Sequence, residues 1–486
     1  MSDKTAGKKL DYKKTLLIGA GFMSTSIAWA IYDPYITRIL ESMLSASTRV
    51  TSWSNWLIQK FPRLLDFASA QGEDVGTALT GFTLVPLFIG LIMTFDNIFG
   101  VIFQPTFGKL SDNTHTRFGK RMPFILIGAP ISAVLFALIP WSERTVSVPM
   151  LMTFVILFVM VMSMWRAPVV ALMPDLTPHE LRSEGNAIIN LCGGIGGLIG
   201  MLAGSILVAI FGFNSDLHEE FPWVFLLGSI VMILGTLILF FFVKEPDNRV
   251  KVTGEVNKAA DEAARKRAEK EAVKAEKARI KAIKLSRSER VSLVFMLFSL
   301  FFLFCGTNSI TTFFSLFAKE VLNKSTADAT KMMAIFAVCS MAAAIPAGKL
   351  GQKIGRKKTI LIGLVMFTTV FVLYKITGSL AIIWVALVVG GAANMMITVN
   401  TLPLVLEIGG LDKVGTFTGY YYTATFSAQI AAPIIFGIVR MFSGTYNSLF
   451  VFSPTAFVLS LLCILFVKHG EAIPEDVIKE AQMADD

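Results

Sequence analysis

Residues 108–125 read Gly108-Lys109-Leu110-Ser111-Asp112-Asn113-Thr114-His115-Thr116-Arg117-Phe118-Gly119-Lys120-Arg121-Met122-Pro123-Phe124-Ile125. The frame returns at Gly348-Lys349-Leu350-Gly351, followed by Gly355-Arg356-Lys357-Lys358. Each stretch begins where one long apolar run ends and leads into another. Two copies about half a chain apart mark an internal repeat, and the basic residues between apolar runs mark loops held on one side of a membrane.

Hydropathy outward from these loops supports that reading. The 486 residues are 54% hydrophobic and 16% charged, with a mean hydropathy of +0.64, more apolar surface than a soluble core can bury. A span needs roughly 20 apolar residues to cross about 30 Å of hydrocarbon. Such runs occupy 14–40, 77–110, 122–141, 148–174, 185–213 and 222–244, and again 290–320, 327–350, 358–377, 380–407, 414–440 and 446–467. The expected fold is an all-α membrane protein of about twelve transmembrane helices in two pseudo-symmetric six-helix bundles. The expected organisation is a first bundle over 1–244, a charged cytoplasmic helical linker over 245–289, a second bundle over 290–467 and an acidic tail over 468–486. Lysine and arginine in both Gly-Lys-Leu loops place those loops, and with them both termini, in the cytoplasm.

Several classes are disfavoured on composition. The net charge of +9 is accounted for by loop residues, not by a nucleic-acid face. The basic start at Lys8, Lys9, Lys13 and Lys14 precedes Leu16 to Ile31 without a small-residue cleavage site, as in a retained first helix. Cys192, Cys305, Cys339 and Cys463 fall at scattered places in apolar runs and read as packing residues, so no metal or other cofactor is expected. His115, His179, His218 and His469 lie in loops or tail, and no nucleophile-base pair indicates an enzyme. Between the first two spans, Trp53, Trp56, Phe61 and Phe67 suit a cap at the outer interface or a packing lid.

The paired loops resemble the signature loop of the major facilitator superfamily, and the first copy is similar to the form in glycoside-pentoside-hexuronide symporters and the sucrose-transporter-like group. Gln104-Pro105 ahead of Gly108 resembles the plant sucrose-transporter pattern. So does Pro168-Val169-Val170-Ala171-Leu172-Met173-Pro174-Asp175-Leu176, with Leu181-Arg182 and Gly185-Asn186. The resemblance implies solute transport by alternating access. It does not carry over a sodium site, because Gly100 and Gln104 stand at the matching aspartate positions. It also lacks that group's acidic residue and arginine of span four, where this chain has Val159 and Val170.

Charge inside hydrocarbon is costly and marks function by default. Asp96 lies 14 residues before Leu110, roughly 21 Å from the loop end of its span. It is the first choice for cation coupling, or else a permanently paired structural acid. Gly100 and Gln104 continue its face at i+4 spacing, and Gln104 and Asp33 complete the cation-coupling set. Arg166, nine residues before Asp175, is placed nearer the depth of Gln104 than of Asp96; it could bind hydroxyls or pair with an acid, or else snorkel toward the cytoplasm. Trp29, one turn before Asp33, could stack on a sugar ring or mark the outer interface. The candidate solute ligands are Trp29, Asn97, Arg166, Asn190, Asn308, Asn394, Tyr421, Tyr422 and Gln429, since amides and phenols recognise hydroxyls without the cost of charge. Helix-to-helix hydrogen bonding is the alternative for each of the second-half groups Asn308, Asn394, Tyr421, Tyr422 and Gln429. Ions thus appear inside the spans of the first half and neutral polar groups inside those of the second. The glycines of span five, from Gly193 to Gly200, read as close-packing positions.

The gating candidates are Gly108, Asp112, Arg117, Gly119, Arg121, Asp175 and Arg182 in the first half, with Gly348, Gly355, Arg356 and Glu407 in the second. Asp112 should pair with Arg117 or another nearby base. Glu407 should substitute for the acid missing at Gly351.

The expected function is proton-coupled symport of a sugar or glycoside, as a monomer in the plasma membrane. Its partners are the solute, the coupling proton and the bilayer, with no nucleic acid. The competing expectations are export of a lipophilic or amphipathic compound and a non-transporting sensor on the same scaffold.

Overall fold

The computed structural model describes residues 10–61, 82–145, 147–178, 181–245, 286–409 and 414–469. Nearly all of the proposed linker, the end of the outer cap beyond Phe61 and most of the acidic tail lie outside the described residues. The described residues are helical, in the order α1 (Tyr12–Ser45), α2 (Thr48–Lys60), α3 (Val85–Ile92), α4 (Phe95–Asp112), α5 (Met122–Arg144), α6 (Val148–Leu176) and α7 (Arg182–Phe211). There follow α8 (Phe221–Phe242), α9 (Arg287–Glu320), α10 (Thr326–Ile354), α11 (Arg356–Thr377), α12 (Leu380–Gly409), α13 (Val414–Ser443) and α14 (Leu449–Leu465). With α3 and α4 taken together, twelve of these are long and apolar enough to cross a membrane.

Local chemistry sets several helix ends. Ser286 caps α9 in a reciprocal capping box with Glu289, which satisfies backbone donors that a helix start leaves unpaired. Ser147 caps α6 through the Met150 amide, and Asp11 caps α1 through Lys14. Gly212 and Gly378 end α7 and α11 in the left-handed conformation.

The chain forms two compact units. The first comprises Met1–Trp53, Ile92–Gly254 and Lys324–Lys331; the second comprises Ser54–Leu91, Glu255–Asn323 and Met332–Asp486. In the first unit α1 packs chiefly on α7 and α8, and α6 on α4 and α5. The α1–α7 contact is backbone-close: a Cβ at Gly200 would sit 2.8 Å from the Ile27 carbonyl oxygen. Small residues permit such approach where no hydrophobic drive separates helix from lipid. In the second unit α9 packs on α13 and α14, and α11 on α12 and α14. Phe317, Phe367, Phe371, Tyr374, Phe450 and Phe457 form a connected aromatic core there, with Phe367 and Phe457 stacked at 4.5 Å.

One expected span is not continuous. The run 77–110 breaks between α3 and α4 at Met93–Thr94, so that α4 starts at Phe95, one residue ahead of Asp96. All four cysteines are free thiols.

Candidate functional site

Asp96 occupies the first turn of α4. A helix start carries partial positive charge, so the break that exposes this terminus favours an anion where a continuous helix would offer none. The Asn97 amide donates to Asp96 Oδ1 at 2.7 Å, and the Asn97 side-chain nitrogen donates to the same oxygen at 3.0 Å. Asn97 thus turns its side-chain amide to the neighbouring carboxylate.

α1 brings Trp29, Tyr32 and Asp33 to this point and α6 brings Arg166. Asp33, Asp96 and Arg166 act on one another electrostatically, and both acids act on the Tyr32 hydroxyl. Arg166 thus acts on both Asp96 and Asp33. The guanidinium also stands over the Trp29 ring, 5.8 Å from its centroid. Trp29 is held by edge contact with Tyr32 at 5.4 Å and by Phe158 at 6.1 Å. Its indole Nε1 is buried without a hydrogen-bond partner, an unmet donor that a ligand oxygen could satisfy.

The other solute candidates divide. Gln104 is half-buried beside Gly100. Asn190 is exposed, and its amide donates to Asn186 O within its own helix at 2.8 Å. Asn308 likewise donates to Phe304 O at 2.7 Å. Tyr421 is buried and hydrogen-bonds Thr401 of α12, while Tyr422 is exposed. Asn394 and Gln429 are half-buried.

The two Gly-Lys-Leu loops are built alike. Gly119 and Gly355 both have φ of +96°, a conformation that side chains with a Cβ rarely adopt. Arg121 is the hub of the first loop: it pairs with Asp112, donates to Asp175 Oδ2 at 2.8 Å and contacts Ser111 and the Gly108 carbonyl. Lys120 adds a second bridge to Asp175 at 3.1 Å. Asp112 is therefore paired with Arg121, while Arg117 lies over the Phe118 ring at 4.5 Å. Glu245 accepts from the Arg121 and Met122 amides at 2.9 and 3.2 Å, capping α5. Burial raises its carboxyl above the usual range, against the pull of those two amides. In the second unit Arg356 pairs with Glu407, and Gly348 lies against Val399. The Arg182 side chain lies outside the described residues.

Sequence reasoning missed several groups. Tyr32 is 1% exposed and completes the central cluster, but one tyrosine in an apolar run carries no signal. Phe95, Phe99, Phe103 and Phe107 form a continuous ring stripe on α4, legible from their i+4 spacing. The second half also holds charge, contrary to the expected asymmetry. Arg440 and Glu320 form an ion pair at 2.9 Å with both side chains almost fully buried. It sits at helix ends, where hydropathy expects solvated residues. Two cavities lie in the second unit. One, of about 310 Å³, is lined by Val294, Phe298, Phe301, Tyr420, Thr423 and Ser427; the other borders α11 and α14.

The family model described as Major Facilitator Superfamily matches residues 15–337 and 296–482. An uncharacterized MFS-type transporter of Schizosaccharomyces pombe is 32% identical over 118 residues, 24% of this chain and 26% of that one. The sucrose transport protein SUC3 of Arabidopsis thaliana is 24% identical over 225 residues, 37% of this chain and 36% of its own. These matches thus span only about a quarter to a third of those relatives. The crystal structure of a D-xylose-proton symporter superposes with a TM-score of 0.60 at 16% identity, covering 93% of this chain and 96% of that one, a likeness of fold.

Proposed function

This chain belongs to the major facilitator superfamily, and on that premise we propose that it carries a sugar-like solute by symport with a proton. The observation that supports the reading is the charge count of the central cluster: one guanidinium, Arg166, faces two carboxylates, Asp33 and Asp96. With all three ionised, one negative charge is left uncompensated in a low-dielectric setting, which is costly. Uptake of one proton neutralises the set. Release follows when water or the shifting guanidinium stabilises the second carboxylate.

Trp29 supplies the coupling between ion and solute. Its Nε1–H donates to a solute oxygen, and its ring is held under the guanidinium that the carboxylates share. A hydroxyl on the solute can donate to Asp33 in turn. The similarity to a sucrose transport protein and to a D-xylose-proton symporter supports the same choice of cargo and cation. In the second unit, Asn308, Asn394, Tyr422 and Gln429 are proposed as hydroxyl-recognising groups. The Arg121 hub and the Arg356–Glu407 pair are proposed as gating locks of their own units. Bundles over 1–244 and 290–467, cytoplasmic termini, a monomeric state and the plasma membrane complete the proposal.

A second reading is favoured by the mostly apolar cavity at Val294, Phe298 and Phe301: export of an amphipathic compound. One experiment separates the two. Purified protein in vesicles is given a panel of labelled mono- and oligosaccharides and glycosides, with and without an inward acid gradient. The proposal expects at least one sugar to accumulate only with the gradient. Gradient-driven movement of amphipathic dyes with no sugar accumulation would replace it by the second reading.

A further inference from the structure

Where α5 ends, at the opposite end of the first unit from its Gly-Lys-Leu loop, several elements close around Glu220, the residue before α8. Glu220 is 0% exposed, and neither carboxylate oxygen has a hydrogen-bond partner of good geometry. The groups that face it come from every neighbouring element. The short 3-10 turn before α8 gives Ser215 and His218, and α1 gives Arg38 and Tyr35. From the end of α5, Glu143 holds His218 Nδ1 at 2.8 Å. From α10, Thr330 comes near the Tyr35 hydroxyl, which itself has no hydrogen-bond partner of good geometry.

The same Arg38 fastens the tip of α10. Its Nη1 pairs with Glu41 at 2.8 Å and its Nε donates to Thr326 Oγ1 at 3.1 Å, all three residues being buried. Beside it Ser205 of α7 donates to the Ala327 carbonyl at 2.7 Å. Residues Lys324–Lys331 thus belong to the first unit, whereas α10 continues in the second from Met332.

We propose that Glu220 is a proton-binding site separate from the central cluster, and that its ionisation frees the Lys324–Lys331 tip of α10 from α1 and α7. While Glu220 is neutral, Arg38 serves Glu41 and Thr326. Once Glu220 is charged, a second carboxylate competes for the guanidinium. An ion-paired hydrogen bond outweighs one to a hydroxyl, so Nε leaves Thr326. Burial raises the Glu220 carboxyl above the ordinary range, opposed by Ser215, His218 and Arg38. The sign follows: the tip is held at lower pH and released as pH rises through that raised value.

The test does not depend on the transported solute. In full-length protein with the four native cysteines replaced by serine, nitroxides are placed at Arg144→Cys and Lys324→Cys, and their separation is measured by pulsed electron resonance between pH 5 and 9. A single short distance at low pH should give way to a longer population as pH rises. Glu220→Gln should keep the short distance throughout, Glu220→Asp should titrate with a shifted midpoint, and Asp96→Asn should leave the transition in place. The inference is overturned by a Glu220→Gln protein that titrates like the wild type, or by an unshifted midpoint in Glu220→Asp. It is equally overturned if the wild type shows no transition or Asp96→Asn abolishes it.

Discussion

The Arg166 guanidinium lies 5.8 Å from the centroid of the Trp29 ring, so one cation serves both an aromatic face and two carboxylates. Lysine keeps the charge but loses the planar group that stacks and bonds in two directions. Arg166→Lys should therefore retain gradient-driven transport while weakening solute affinity by about 3- to 30-fold, the scale of a cation–π contact. Initial-rate kinetics in vesicles check this through a rise in KM with little change in maximal rate.

Trp29→Phe keeps a ring beneath Arg166 and removes the buried indole donor. A neutral hydrogen bond contributes about 1 kcal/mol, so solute binding should weaken by about fivefold. Protein stability should hold or improve, because an unmet buried donor disappears. Calorimetric binding and thermal unfolding on the same samples separate the two effects.

Gly355 has φ of +96° and ψ of 142°, a region reserved in practice for glycine. Gly355→Ala should cost about 1–3 kcal/mol and shift the Arg356–Glu407 pair. The check is a lowered unfolding temperature compared with Gly348→Ala, whose Cβ would meet only the Val399 methyl at 3.6 Å.

Glu320 is fully satisfied: besides Arg440, its carboxylate accepts from the Thr445 hydroxyl at 2.6 Å and the Tyr446 amide at 2.7 Å. Removing one partner strands a buried charge. Arg440→Ala should destabilise the protein by about 3–5 kcal/mol, and the double replacement Glu320→Gln with Arg440→Met by clearly less. Unfolding in detergent with both variants measures the difference.

Much of the fold was legible because apolar runs of spanning length leave few alternatives. Helix ends lie within a few residues of the expected spans wherever Gly, Ser or Pro marks them. The break before Asp96 was not legible, since Met93 and Thr94 are not helix breakers. The cost of charge in hydrocarbon singled out Asp96, and Arg166 as a residue able to pair with an acid, but not which groups meet. Which of Asp33, Gln104 and Arg166 meets it depends on side-chain reach and helix rotation. For Asn190 the residue type suited recognition, but its exposure and its bond within its own helix were not legible from type alone. Charged residues at helix ends, such as Arg38 and Glu320, look solvated in sequence and become core only when neighbouring helices close over them.

The central claim is that the Asp33–Asp96–Arg166 set takes up the coupling proton. The most direct measurement is proton entry, followed by a trapped pH-sensitive dye, when a transported sugar is added to vesicles holding wild-type or Asp96→Asn protein, with sugar exchange at equal pH as the control. The account predicts sugar-triggered acidification in the wild type and none in Asp96→Asn, which still exchanges sugar. Equal acidification in both would contradict it.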